Sequence, residues 1–224
     1  MIPPPTSGPI PRTKAISYDA IFFDFDGVLV ESAAIKTQAF RALYAGQGED
    51  VVAHVLAHHM AHEGISRVEK IHHCHLQFLG QDLSDPELAA LAGQYSEMVV
   101  EAVVGCPAVA GSLEFLQRNV ADKKMFVVSG TPQTELRDIV DARGMTHYFQ
   151  EVCGSPRRKE PIVTELLHRY DLAAGDCLFI GDAMTDHRAA RATGLDFIGR
   201  VGPNEDNPFP EGTTVIGDLT ELSD

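Results

Sequence analysis

Short apolar runs that each stop at Gly, Ser or Asp punctuate this chain: YDAIFFDFDG (18–27), KMFVVSG (124–130), FQEVCGS (149–155), CLFIGD (177–182) and DFIGRVG (196–202). An unbroken apolar run suits a parallel strand covered on both faces. Between the runs lie segments with helical spacing: GSLEFLQRNVAD, PQTELRDIVDARG with Pro132 at a first turn, PIVTELLHRYDL, and MTDHRAARATG closed by Gly194. Strand alternating with helix predicts a doubly wound, Rossmann-like α/β fold, in which ligands gather at the carboxyl ends of the strands. TTVIGDL (213–219) reads as a last edge strand.

One segment interrupts the alternation. From Glu31 to about Cys106 no run reads as a strand, while Ile35, Ala39 and Leu43 recur at helical spacing and further helical stretches follow at 50–62, 66–79 and 85–104. The expected organisation is a core of 17–30 and 107–224 with an all-helical cap inserted at 31–106. The insertion directly follows the first strand's carboxyl end, where a lid over the ligand site belongs. Residues 1–16, with five prolines and no apolar leader, read as a mobile tail.

A net charge of −14 leaves no broad basic surface for nucleic-acid phosphates or anionic lipid. No stretch approaches the roughly 18 consecutive apolar residues of a spanning helix. Cys74, Cys106, Cys153 and Cys177 form no C-x-x-C pair, which suits reduced, structural thiols and a cytoplasmic setting. The expected form is a monomer or homodimer with no nucleic-acid or membrane partner.

The polar residues at the run ends should meet at one edge of the sheet: Asp24 and Asp26, Ser129, Lys159 after GSPRR, and Asp182 with Asp186 one helical turn on. So many carboxylates in one cleft would repel one another unless a divalent cation sat among them, and oxygen donors in this number suggest Mg²⁺. Two residues apart on a strand, Asp24 and Asp26 point the same way, and Gly27 permits a sharp departure.

DFDGVLVES, VVSGT, GSPRRK and GDAMTD, in that order with a helical insertion after the first, resemble the four motifs of the haloacid dehalogenase superfamily, in its phosphatase and phosphomutase branch with a helical cap. The resemblance spans about Tyr18 to Arg200. It implies Asp24 as nucleophile, Asp26 as general acid and base with its backbone carbonyl facing the metal, and Ser129 with Gly130, Thr131 and Gly27 around the phosphate. It further implies Lys159 as the neutralising cation, with Asp24, Asp26, Asp182 and Asp186 as the residues at Mg²⁺. Asp26 separates the chain from the family's dehalogenases and phosphonate hydrolases. Where the family often follows the lysine with proline, this chain has Lys159, Glu160, Pro161, which makes Arg158 the fallback.

Seven of the ten histidines, His54, His58, His59, His62, His72, His73 and His75, lie within 54–75. His54, His58 and His62 share a helix face, with Cys74 a further soft donor, which allows either a zinc site or a plain polar face; the absence of a spaced Cys/His signature favours the face. EGISRVEK resembles the substrate-contacting turn of related caps, which places Arg67 and Lys70, with Glu63 and a histidine, as candidates to meet the substrate's leaving group. The overall expectation is a Mg²⁺-dependent phosphomonoester hydrolase acting on a small phosphorylated metabolite through an aspartyl-phosphate. The alternatives are a sugar-phosphate mutase and a non-catalytic phospho-ligand-binding protein.

Overall fold

In a computed structural model of the chain, which describes residues 18–203 and 205–222, six parallel strands form one sheet in the order β3-β2-β1-β4-β5-β6. The strands are β1 (Ala20–Phe23), β2 (Lys124–Pro132), β3 (Glu151–Ser155), β4 (Cys177–Gly181), β5 (Asp196–Arg200) and β6 (Val215–Ile216). The expected tail, 1–16, lies outside the described residues.

Side chains of adjacent strand residues go to opposite faces, and both faces are apolar. Ile21, Phe23, Met125, Val127, Leu178 and Ile180 belong to one buried cluster, whereas Ala20, Phe22, Phe126, Val128, Cys177 and Phe179 belong to the other. Phe22 stacks on Phe126 with ring centroids 4.8 Å apart. Each such large side chain contributes about 1.5–3 kcal/mol by burial, so the central strands are pinned in register. Helices α5 (Ser112–Asn119) and α6 (Gln133–Ala142) bury Phe115, Leu116, Leu136 and Ile139 in the first cluster. α7 (Lys159–Arg169) and α8 (Met184–Thr193) bury Ile162, Val163, Leu166 and Ala190 in the second.

Between β1 and α5 run four helices: α1 (Ala33–Leu43), α2 (Glu49–Ala61), α3 (Arg67–Cys74) and α4 (Asp85–Gly105). The chain leaves and re-enters the sheet side by side, since Val30 bridges Ala108 and the Glu31 N–H donates to Pro107 O at 3.0 Å. Phe40, Tyr44, Tyr95, Val99 and Val103 continue the first cluster into these helices. The helical stretch expected at 66–79 is divided: α3 stops at Cys74 and His75–Leu79 forms a wider π-helical turn that ends at Gly80, φ 65°. The Gln81 N–H reaches back to His75 O at 3.0 Å, closing that turn.

Successive strands step from β1 to β2 and β3 on one side and then to β4, β5 and β6 on the other. The order reverses at β1, so the crevice at its carboxyl end is where a ligand site forms in such a sheet.

Candidate active site

Asp24 follows β1 and is fixed to the neighbouring strand by its N–H, which donates to Ile180 O at 2.9 Å. Its carboxylate is buried, accepting the Phe25 N–H at 2.7 Å and meeting Lys159 Nζ at 2.8 Å. Lys159, at the start of α7, also donates to Asp186 Oδ1 at 2.5 Å. Asp186 in turn accepts the Ala183 N–H at 3.1 Å, which locks it into the first turn of α8. Asp182 comes from the end of β4, and the carboxylates of Asp24, Asp182 and Asp186 bring one oxygen each within 4.8 Å of one another.

Burial, together with the Asp24 and Asp186 charges, pushes the Asp182 carboxyl well above the usual range. Burial would depress Lys159, but Asp186 and Asp24 outweigh it and hold its ammonium above the ordinary lysine value. One lysine therefore faces three carboxylates, and the imbalance of charge and the all-oxygen donor set fit a hard divalent cation. Gly27 makes the approach possible: at φ 73°, a Cβ there would lie 1.9 Å from Asp182 Oδ2.

The expectation that Asp24 and Asp26 are strand neighbours facing one way is not met, because β1 ends at Phe23 and both lie beyond it; Asp26 lines the same cleft with partners separate from those of Asp24. Its carboxylate accepts Ser32 Oγ at 2.6 Å and Thr131 Oγ1 at 3.0 Å, has Ser129 Oγ at 3.4 Å, and pairs with Lys36. Burial pushes this carboxyl up, but the Lys36 charge and the three hydrogen bonds from Lys36, Ser32 and Thr131 more than offset it, leaving Asp26 below the usual carboxylate range. Ser129 Oγ accepts the Thr131 N–H at 3.1 Å, so the end of β2 is braced around the cleft.

The turn between α2 and α3 seats on this cleft. Thr185 Oγ1 donates to Glu63 O at 3.0 Å, and a Cβ on Gly130 would meet Gly64 O at 2.6 Å. Gly64 itself has φ 79°, and a Cβ there would strike Thr185 Oγ1 at 2.0 Å. A cleft results, with Asp24, Asp26, Ser129 and Asp182 on its sheet side and Lys36, Glu63, Arg67 and Lys70 among the helix residues opposite. Arg67 is already engaged by Glu135, at 2.9 Å through one nitrogen, by Ser96 at 2.7 Å, and by the Tyr95 ring at 4.6 Å.

Every site residue expected from the sequence therefore lies in or beside one cleft. Three more were not foreseen: Lys36 on Asp26, Glu135 on Arg67, and Arg200, which donates to Gly27 O at 3.2 Å and pairs with Glu31 at 2.8 Å. A signal for Lys36 existed, since Ser32 and Lys36 are one helical turn apart and both reach Asp26. Among the histidines, His58 stacks on His62 and His73 with ring centroids 4.1 and 3.9 Å away and ring planes 29° and 6° apart. Parallel rings direct their nitrogen lone pairs alongside one another rather than to a shared point. Cys74 is buried, its thiol pushed up to about 11 by burial. Among the described residues, the three aspartates are the group of His, Cys, Asp or Glu side chains close enough to share an ion.

Fold and site together define an α/β protein with a carboxylate centre and a lysine at the switch point of a parallel sheet. The chain belongs to the haloacid dehalogenase-like hydrolase family, whose pattern matches residues 18–194. It is similar to phosphoglycolate phosphatase 1 of Pseudomonas aeruginosa, 26% identical over 228 residues covering 90% of this chain and 77% of that protein. A phosphoglycolate phosphatase of Vibrio parahaemolyticus is 27% identical over 227 residues, covering 90% and 93%. Among solved structures, β-phosphoglucomutase from Clostridium difficile has the same fold (TM-score 0.72, 18% identity, covering 92% of this chain and 93% of that one). So does CbbY from Rhodobacter sphaeroides in complex with phosphate (0.69, 18%, 92% and 96%).

Proposed function

We propose that this hydrolase is a Mg²⁺-dependent phosphomonoesterase that cleaves a small phosphorylated metabolite through an aspartyl-phosphate on Asp24. The observation that carries the reading is the convergence of Asp24, Lys159, Asp182 and Asp186, with Asp26 and Ser129 lining the same cleft as Asp24 and Asp182. In the first step Asp24 Oδ forms a bond to phosphorus as the ester P–O bond breaks, and the leaving oxygen takes a proton from Asp26, which is ionised in the free cleft and takes up that proton from solvent or the substrate monoanion as the ester binds. In the second, Asp26 takes a proton from water, whose oxygen bonds to phosphorus while the Asp24 acyl-phosphate P–O bond breaks, releasing orthophosphate, restoring the Asp24 carboxylate and returning the proton that Asp26 gave up.

Lys159 neutralises charge on Asp24 and on the phosphoryl oxygens, and Ser129 with the Gly130 N–H receives those oxygens. Asp24, Asp182, Asp186 and the Asp26 carbonyl would hold Mg²⁺, which supplies charge neutralisation at the phosphoryl group when bound. Residues 31–106 serve as the cap, with the Glu63–Ile65 turn closing over the ester and excluding water until the first step is complete. A cytoplasmic setting fits the free state of all four cysteines. No helix among the described residues is long and apolar enough to cross a membrane.

The test is release of orthophosphate from a panel of phosphorylated metabolites. Release is expected with Mg²⁺ and is lost on chelation by EDTA, then restored by added Mg²⁺. Release that ignores EDTA removes the metal from the account; an isomerised ester with no free phosphate replaces hydrolysis by mutase chemistry.

A further inference from the structure

Arg200 closes β5 and is 3% exposed, yet it is not among the residues that line the cleft. A guanidinium taken this far from water needs its donors filled. Its Nε–H donates to Gly217 O at 3.0 Å and its Nη1 to Gly27 O at 3.2 Å, while the Glu31 carboxylate receives Nη2 at 2.8 Å and Nη1 at 3.3 Å. One side chain thus ties together the end of β5, the residue after β6 and the turn that leads from Asp26 into the cap.

Glu31 does not account for the burial. Its side chain is 42% exposed, and a lysine reaching it from the surface would serve as well. What requires a buried planar fork is reaching two backbone carbonyls and a carboxylate at once. Of the two carbonyls, Gly27 O is the one that bears on the site. Gly27 sits at φ 73°, and a Cβ there would lie 1.9 Å from Asp182 Oδ2, so its backbone is the wall against which that carboxylate rests. Its N–H, on the peptide that also carries the Asp26 carbonyl, donates to Val30 O at 2.9 Å. The peptide on its other side is the one Arg200 holds. Further along the turn, Leu29 O accepts the Val109 N–H at 3.1 Å and Ser112 Oγ at 3.0 Å. The turn is therefore clamped at Leu29 by 109–112 and at Gly27 by Arg200.

We infer that Arg200 is a positioning residue for the metal centre: by holding the Gly27 peptide it fixes the Asp26 carbonyl and the wall behind Asp182 in the arrangement that receives a divalent cation. The inference rests on the proposed function for the cation and for the Asp26 carbonyl as one of its ligands. Arg200 acts through Gly27, since its own bonds go to Gly27, Glu31 and Gly217 rather than to Asp24, Asp182 or Asp186.

The sign of the effect separates positioning from charge. Replacing Arg200 by an uncharged residue removes a cation and leaves Glu31 unpaired, and both changes make the surroundings more negative, which alone would tighten Mg²⁺ binding. Releasing Gly27 does the reverse, because a carbonyl that is free to turn away must be ordered again when the ion binds.

The experiment measures Mg²⁺ binding to the substrate-free protein by calorimetry, so no turnover is needed, with thermal midpoints taken without metal to report the structural cost separately. Arg200→Met is expected to weaken Mg²⁺ binding by about 10-fold or more. Arg200→Lys should weaken it by about three- to tenfold, since one ammonium cannot span all three acceptors. Glu31→Gln leaves the Gly27 bond in place and should change it by about twofold or less. A lowered midpoint in Arg200→Met with Mg²⁺ bound as tightly as by the unsubstituted chain, or more tightly, makes Arg200 a structural tie only and overturns the inference. Equal weakening by Glu31→Gln and Arg200→Met overturns it too, by assigning the effect to the ion pair instead of Gly27. If Arg200→Met proves unfolded, Arg200→Lys decides: undiminished Mg²⁺ affinity overturns the inference. An unsubstituted chain that binds no Mg²⁺ has no centre to position and overturns it as well. One that binds Mg²⁺ but releases no phosphate contradicts the hydrolase reading alone, and the Arg200 comparison decides as before.

Discussion

Asp24→Asn protein is expected to lose turnover by about 10,000-fold or more while remaining folded, because an amide oxygen is a far weaker nucleophile toward phosphorus than a carboxylate. The substitution is nearly isosteric, and its oxygen can still accept the Phe25 N–H that Asp24 accepts at 2.7 Å. It also removes one of three mutually repelling charges, whose effect is visible in the raised Asp182 carboxyl. Thermal unfolding should therefore show a midpoint equal to or above that of the unsubstituted chain. Initial rates with the best substrate, measured on both proteins at saturating Mg²⁺, check the first half; activity within tenfold of the unsubstituted chain would remove Asp24 from the chemistry.

Lys159→Ala is expected to be the most damaging single change to both stability and rate. The lysine is buried between Asp24 at 2.8 Å and Asp186 at 2.5 Å, and its loss leaves these two buried carboxylates and the half-buried Asp182 with no fixed counter-charge. Removing one partner from a buried ionic network costs about 3–5 kcal/mol. A denaturant titration without metal should show that deficit, and Mg²⁺ should narrow it, since a cation among the aspartates supplies the missing charge. Turnover should fall by about 100- to 1000-fold even with Mg²⁺ saturating, because the charge on the transferring group is then unbalanced. Arg158→Ala is the internal control: Arg158 is exposed at the N-terminus of α7, and its loss should change stability by less than about 0.5 kcal/mol. If Arg158→Ala abolished turnover and Lys159→Ala did not, the motif would be misread by one residue.

The fold was legible because a parallel strand buried on both faces leaves an unbroken apolar run, as AIFF in β1 and CLFIG in β4 do. Asp24, Ser129, Lys159 and Asp182 were legible for a related reason: each is polar at the end of such a run or just after one, and topology brings those ends together. What escaped were residues whose meaning depends on packing between distant segments. Glu135 lies 68 residues from Arg67, and nothing in QTELRDIVDA separates it from an ordinary solvated helix face. Thr185 meets Glu63 across 122 residues for the same reason. Lys36 reads as a polar residue between Ile35 and Ala39 until the helix is wound and its ammonium lands on Asp26. The histidines show the converse. Spacing along α2 placed His58 and His62 on one face, but His73 from α3 closes over His58 as a stacked ring, an arrangement that periodicity within a single helix does not reveal.

The central claim is that phosphate passes through a covalent bond to Asp24. Protein turning over its best substrate with Mg²⁺ is quenched in acid within milliseconds to seconds, digested, and its peptides are read by mass spectrometry. The account predicts a phosphoryl group on the peptide containing Asp24, localised to that residue, present with Mg²⁺ and absent with EDTA. Active protein that gives phosphate on another residue, or a burst of alcohol product with no phosphorylated peptide, would contradict it.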